Sequence, residues 1–259
     1  MKYYVVDAFA EKVFEGNPAA ICVLDEWLPD ALMQKIAMEN NLSETAFTVN
    51  EGDSYRLRWF TPREEIDLCG HATLATAYVI ANFYEPAARK ISFQTASGLL
   101  VVTRKDDLYE LDFPRYGLTP VAVTDEMTAA LGVCPSEAYL GRDLLCLLEE
   151  EGQVVTADPD QSKLKDLPGL LVHITARGTE YDCVSRSFAP KLGVAEDPVC
   201  GSGHCHIIPF WARRLEKTML TARQASRRGG TLYGEMQGER VLLRGNAVLY
   251  AVGEIKAAL

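Results

Sequence analysis

No Cys-x-x-Cys pair and no His-x-x-x-His pair occurs among 259 residues that hold seven cysteines and only four histidines. The close ligand spacings that mark a structural zinc site are therefore missing. Also missing are a Gly-x-Gly-x-x-Gly turn after a strand and a phosphate-cradling Gly-x-x-x-x-Gly-Lys loop, so nucleotide-driven chemistry is disfavoured. Positive charge is scarce: 26 basic against 36 acidic residues give a net charge of -10, which argues against a nucleic-acid or anionic-membrane surface. Long apolar runs are absent as well. The stretch 68–84 is interrupted by His71, Thr73, Thr76 and Asn82 and falls short of the roughly 20 residues of a membrane helix. The opening Met1-Lys2-Tyr3-Tyr4-Val5-Val6-Asp7 reads as a strand rather than a signal peptide. An odd number of cysteines, in a chain too large to need disulfide staples, points to reduced thiols and a cytoplasmic protein.

What is present is one signal written twice. Cys69-Gly70-His71-Ala72 and Cys200-Gly201-Ser202-Gly203 each open a stretch that reads as a buried helix. A helix start leaves backbone N–H groups unpaired and carries partial positive charge, which favours anions and lowers the pKa of a nearby thiol. The other cysteines, such as Cys22 and Cys146, sit in apolar runs and read as inert core residues.

Periodicity organises the rest. In the first half it predicts strands at 3–9, 19–24, 45–49 and 55–60, a helix from Asp30 to Asn40, an all-round apolar helix over 71–84, and a meander at 90–95, 99–104 and 108–113. Residues 114–120, flanked by prolines, mark the boundary. The second half repeats the order: short helices near 125–131 and 159–166, strands at 143–149, 169–175 and 181–187, a helix from Cys200 to about Leu215, and strands at 231–236, 240–244 and 247–252. The expectation is an α+β protein of two pseudo-symmetric domains, 1–115 and 116–259, the last strand being free to return to the first. Each is a curled, mostly antiparallel sheet or barrel around a central buried helix, with a cleft between them.

Several side chains can carry chemistry, each with a plainer reading beside it. Glu44, in the polar loop Asn41-Leu42-Ser43-Glu44-Thr45, is a candidate proton carrier or a solvated loop acid. His71 is a donor to a substrate carboxylate or a satisfied core histidine. Asp197, before Pro198, contacts substrate or caps the following helix. Ser202 and Gly203 allow a ligand close to the backbone or serve packing, and His204 and His206 read as structural. Cys200, His204, Cys69 and His71 would make a tetrahedral zinc set, but without close ligand pairs no metal is expected.

These residues lie in a wider set: Gly16-Asn17-Pro18-Ala19, Asn41-Leu42-Ser43-Glu44-Thr45, Phe60-Thr61-Pro62, Gly70-His71-Ala72-Thr73, Phe188-Ala189-Pro190, Glu196-Asp197-Pro198-Val199-Cys200-Gly201-Ser202 and Arg228-Gly229-Gly230. With them the chain resembles, over nearly its whole length, the phenazine-biosynthesis isomerase (PhzF-like) family, whose fold is shared with diaminopimelate epimerase. The resemblance implies a cofactor-free isomerase, usually a homodimer, acting on a small carboxylic acid. In it Glu44 takes and returns a proton while Asn17, Ser43, Gly70, His71, Asp197, Gly201 and Ser202 hold the substrate. Cys69 and Cys200 depart from the phenazine enzyme and match the two catalytic cysteines of diaminopimelate epimerase. A two-thiol epimerase or racemase of amino or hydroxy acids is the alternative, and a non-catalytic acid-binding or thiol redox-sensing protein the alternative of another class.

Overall fold

The computed structural model describes residues 1–256. The chain divides into two compact units, Met1–Asp112 with the segment from Arg244 on, and Phe113–Leu243. The fold is α+β.

In the first unit Lys2–Ala8 runs antiparallel to both Ala247–Glu254 and Asn17–Leu24. Asn17–Leu24 is parallel to Glu44–Asn50, with the helix Asp30–Asn40 as the crossover, and Glu44–Asn50 is antiparallel to Tyr55–Phe60. Tyr55–Phe60 pairs parallel with Lys90–Thr95, which is antiparallel to Gly98–Lys105. The second unit follows the same order. Glu137–Leu140 lies antiparallel to both Thr119–Val121 and Leu144–Leu147, which is parallel to Val172–Arg177. Cys183–Ala189 is antiparallel to that strand and parallel to Met219–Gln224, which is antiparallel to Gly230–Gln237. A short strand also pairs with the fifth strand of each series just before its helix, Glu65–Ile66 in one unit and Val194–Asp197 in the other. The shared order antiparallel, antiparallel, parallel, antiparallel, parallel, antiparallel is the mark of a duplicated unit.

Each unit packs its sheet on one helix. Gly70–Val79 is built from alanine, threonine and leucine and buries every residue but Gly70 and Tyr78. Small residues around the whole circumference let strands approach from several sides. Gly201–Leu215 buries His204 to Ile208 and Phe210 to Ala212 against Leu145, Leu147, Leu220, Ala222, Val241 and Leu243.

Five differences from the sequence reading have local causes. The apolar stretch 71–84 is not one helix: it passes at Ile80 into a π-turn, Ile80–Tyr84, closed by Glu85 N–H donating to the Ile80 carbonyl. Phe83 and Tyr84 there are half exposed and pack on Tyr4. Thr119–Val121 is a strand despite Pro120, because a three-residue strand tolerates a missing donor. Met219–Gln224 alternates in burial as a half-buried strand should, and Glu137–Leu140 is simply short. The helix Glu151–Thr156, which the sequence reading lacks, is held by a capping box between Glu150 and Gln153.

A buried hydrogen bond ties the second helix to its sheet: Trp211 Nε1 donates to Thr175 Oγ1 at 2.9 Å, and that hydroxyl donates to the Val184 carbonyl. Trp211→Phe removes the donor and leaves a smaller ring, so unfolding in urea should show a loss of about 1–3 kcal/mol.

Candidate functional site

The register that pairs Ala19 with Glu44 puts Glu44 at the first position of its strand, at the end of the loop after Asn41. Asn41 takes a left-handed backbone (φ 48°) to end the preceding helix, and Ser43 Oγ donates to Asn17 Oδ1 at 3.3 Å. Cys69 occupies the N-cap of Gly70–Val79 in extended backbone, so His71 falls in the first helical turn. The three reactive side chains meet there. His71 Nε2 lies 2.9 Å from Glu44 Oε2, and Cys69 Sγ lies 3.5 Å from His71 Nδ1. The carboxylate approach is too far off line for a hydrogen bond, so both Glu44 Oε2 and His71 Nε2 are buried without one. Groups in that condition are prepared for a further partner.

The electrostatics of this cluster are those of an acid–base pair. Burial works against charge on His71, but the flanking Cys69 and Glu44 outweigh it and hold the imidazole well above its usual range. Burial, followed by the Glu44 charge, pushes the Cys69 thiol up against the pull of His71.

The second unit assembles a different cluster at the equivalent place. Cys200 is the N-cap of Gly201–Leu215, and its Sγ accepts from the Gly203 N–H at 3.3 Å. Ser202 Oγ lies 3.4 Å from that sulfur and accepts from Arg142 Nη2 at 3.0 Å. Arg142 lies over the Tyr116 ring and is gripped by Asp143, with Nη2 2.7 Å from Oδ2. Asp143 is wholly buried, and it also accepts from the Leu171 N–H and from His173 Nε2 at 3.1 Å. His173 Nδ1 then accepts from Ser187 at 2.9 Å, and His206 Nε2 stands 3.5 Å from the same carboxylate. Burial alone would raise Asp143; the neighbouring His173 and His206 rings and the Arg142 guanidinium reverse that and hold its carboxyl well below the usual range.

Several expectations change in detail. The thiols at the helix starts are not activated: burial, then the Asp197 charge, drives Cys200 well above its usual value, against the Ser202 hydroxyl and the Gly203 N–H. Its seat is Leu171 and Ala189, and desolvation there exceeds the helix-end effect. The N-cap residue is Cys200, while Asp197 Oδ1 accepts from the Val199 N–H and its carbonyl accepts from Gln224. His204 turns Nδ1 onto the Cys200 carbonyl at 2.8 Å and leaves its Nε2 buried without a hydrogen bond. Cys22, Cys146 and Cys205 are inert, each pushed up to about 12 by burial. The sequence reading missed Arg142, Asp143 and His173. A lone histidine inside the apolar run Leu170-Leu171-Val172-His173-Ile174 was the available signal, since a buried ring needs polar partners.

The phenazine biosynthesis-like protein family has a sequence model that matches residues 6–253. An uncharacterized isomerase of Pseudomonas aeruginosa is 50% identical over 99% of this chain and 98% of its own. The crystal structure of a PhzF-family phenazine biosynthesis protein of Enterococcus faecalis superposes with a TM-score of 0.97 at 55% identity, covering 99% of both chains. A probable proline racemase of Agrobacterium radiobacter, 11% identical, shares the fold at a TM-score of 0.66 over 99% of this chain and 93% of its own.

Two measurements check the second cluster. His204 is fully buried and pushed down to about 4 by burial, so below pH 6.5 the unfolded chain binds a proton that the folded chain refuses. Its contribution is complete above 6.5 and is lost as pH falls toward 4, at up to about 1.4 kcal/mol per pH unit. Urea midpoints for His204→Gln should fall less steeply across that window than those of the wild type. At Gly203 an added Cβ would meet the His173 ring at 2.6 Å, whereas at Gly201 it meets nothing within 4 Å. Gly203→Ala should lower stability by about 1–3 kcal/mol while Gly201→Ala leaves the melting temperature in place.

Proposed function

The chain belongs to the phenazine biosynthesis-like family and is an isomerase, and we propose that it moves a proton along a small carboxylic acid without a cofactor, with the Glu44 carboxylate taking and returning that proton. The observation that carries this reading is the off-line, 2.9 Å approach of Glu44 Oε2 to His71 Nε2, which leaves a buried carboxylate and a buried ring nitrogen both unsatisfied. Glu44 accepts a proton from a carbon beside a carboxylate or an unsaturated bond. The electron pair left behind delocalises toward the acid group, and Glu44 delivers the proton to a second carbon. His71, held toward its charged form, donates to the oxygen on which negative charge builds.

Ser43 and Asn17, already hydrogen-bonded to each other, are proposed substrate contacts. Gly70, Gly201, Ser202 and Asp197 have the same proposed role by family resemblance. Gly201 supports its part, because the space where a Cβ would stand is open. The two-thiol alternative asks Cys69 or Cys200 to supply a thiolate near neutral pH. Burial pushes both thiols the other way, which favours the carboxylate. Seven free cysteines support a reducing, cytoplasmic setting, and the family resemblance supports a homodimer.

The test is a screen of unsaturated acids and amino acids in deuterated water, with the position of label read by NMR. For the substrate so found, Glu44→Gln should lower turnover by about 10²–10⁴-fold while the chain stays folded. Unchanged turnover in that variant refutes the single-carboxylate mechanism. Label at an inverted α-carbon that disappears in Cys200→Ser would establish the thiol alternative instead.

A further inference from the structure

Cys69, His71 and Glu44 each offer one ligand atom, and these three atoms lie within 4.8 Å of one another. From this we infer that the start of the first central helix is a binding site for a thiophilic divalent cation of the zinc class, which competes with the proton chemistry at the same groups. The inference stands on the geometry of the three side chains and holds whichever group carries the proton in turnover.

The donor set fits the ion. One sulfur, one imidazole nitrogen and one carboxylate oxygen make a three-ligand set with a position left open, as in zinc sites that admit water or an anion. Zinc–sulfur and zinc–nitrogen bonds of about 2.3 and 2.05 Å at a tetrahedral angle place the two donors about 3.6 Å apart; the Cys69 Sγ to His71 Nδ1 separation is 3.5 Å. The charges also balance, since a thiolate and a carboxylate offset a divalent ion in a pocket that disfavours net charge. Cys69 and His71 are both nearly fully buried on a rigid helix start, and Glu44 Oε2, buried without a hydrogen bond, independently shows a site built for something more than its own side chains.

Binding is a displacement. The Cys69 S–H proton and the Nδ1 proton of the His71 imidazolium leave to solvent as sulfur–metal and nitrogen–metal bonds form, and a Glu44 carboxylate oxygen completes the set. Occupancy removes the imidazolium and the free carboxylate together, so the ion acts as an inhibitor rather than a resident cofactor. Among the described residues the equivalent place in the second unit lacks the set: Ser202 stands two positions after Cys200, where His71 follows Cys69, and its hydroxyl is engaged by Arg142.

Cobalt(II) reports thiolate ligation by a sulfur-to-metal charge-transfer band. Titrated into the full, reduced chain, it should give that band with saturation near one equivalent, and zinc should displace it. Cys69→Ser should abolish the band, and His71→Asn should weaken binding by at least about tenfold. Cys134→Ser, which removes the exposed thiol, should leave the band unchanged. As a check free of variants, zinc should protect Cys69 of the wild type from iodoacetamide, read by peptide mass spectrometry. No band, a band that survives Cys69→Ser, or a Cys69 alkylated equally fast with and without zinc would each overturn the inference.

Discussion

A helix that begins inside a protein must find partners there for N–H groups that water would otherwise satisfy. Both central helices of this chain begin buried, and both begin with Cys-Gly. At the second, the cysteine satisfies the constraint directly, its sulfur accepting from Gly203 and its carbonyl from the His204 N–H. At the first, the Cys69 carbonyl accepts from both the N–H and the hydroxyl of Thr73. The same geometry delivers the third residue of each motif, His71 or Ser202, beside the cysteine sulfur. Position in the fold thus follows from backbone bookkeeping, and the chemistry follows from which residue stands third.

The two units answer one topology with opposite charge. Their strand pairings follow the same order, yet the third residue is drawn toward a carboxylate in one unit and toward a guanidinium in the other. In the first, Glu44 Oε2 and His71 Nε2 are buried without a hydrogen bond. In the second, Arg142 is pinned by Asp143, and Asp143 in turn by His173 and the Leu171 N–H. A buried carboxylate with that many donors is a rigid anchor rather than a proton carrier, since protonating it would strand them all. Duplication therefore left one copy poised and the other fixed.

How much of this was legible in the sequence depended on the range of the interaction. Helix starts are local, so Cys69-Gly70 and Cys200-Gly201 stood out, and the second helix runs from Gly201 to Leu215 much as its pattern suggests. Strands carrying strong alternation, such as Tyr55–Phe60, were equally plain. The Glu44–His71 contact joins residues 27 positions apart, and nothing local reports it; family resemblance implied only that both residues belong to one site. Asp143 was hidden for a different reason. In Gly141-Arg142-Asp143-Leu144 it stands at the first position of an expected strand, and only the pairing of Leu144–Leu147 with Val172–Arg177 carries it into the core beside His173.

The thiols show why a motif fixes a place more firmly than a property. A cysteine at a helix start is expected to ionise easily, because the helix end favours its negative form by an amount seldom above about 2 kcal/mol. Desolvation acts on the same atom and grows without that ceiling as apolar neighbours close in. Cys200 is packed against Leu171 and Ala189 and faces the charge of Asp197; Cys69 faces Glu44. In both, burial and a nearby negative charge act together against one helix end. A Cys-Gly helix start therefore places a thiol in the fold without deciding its charge state.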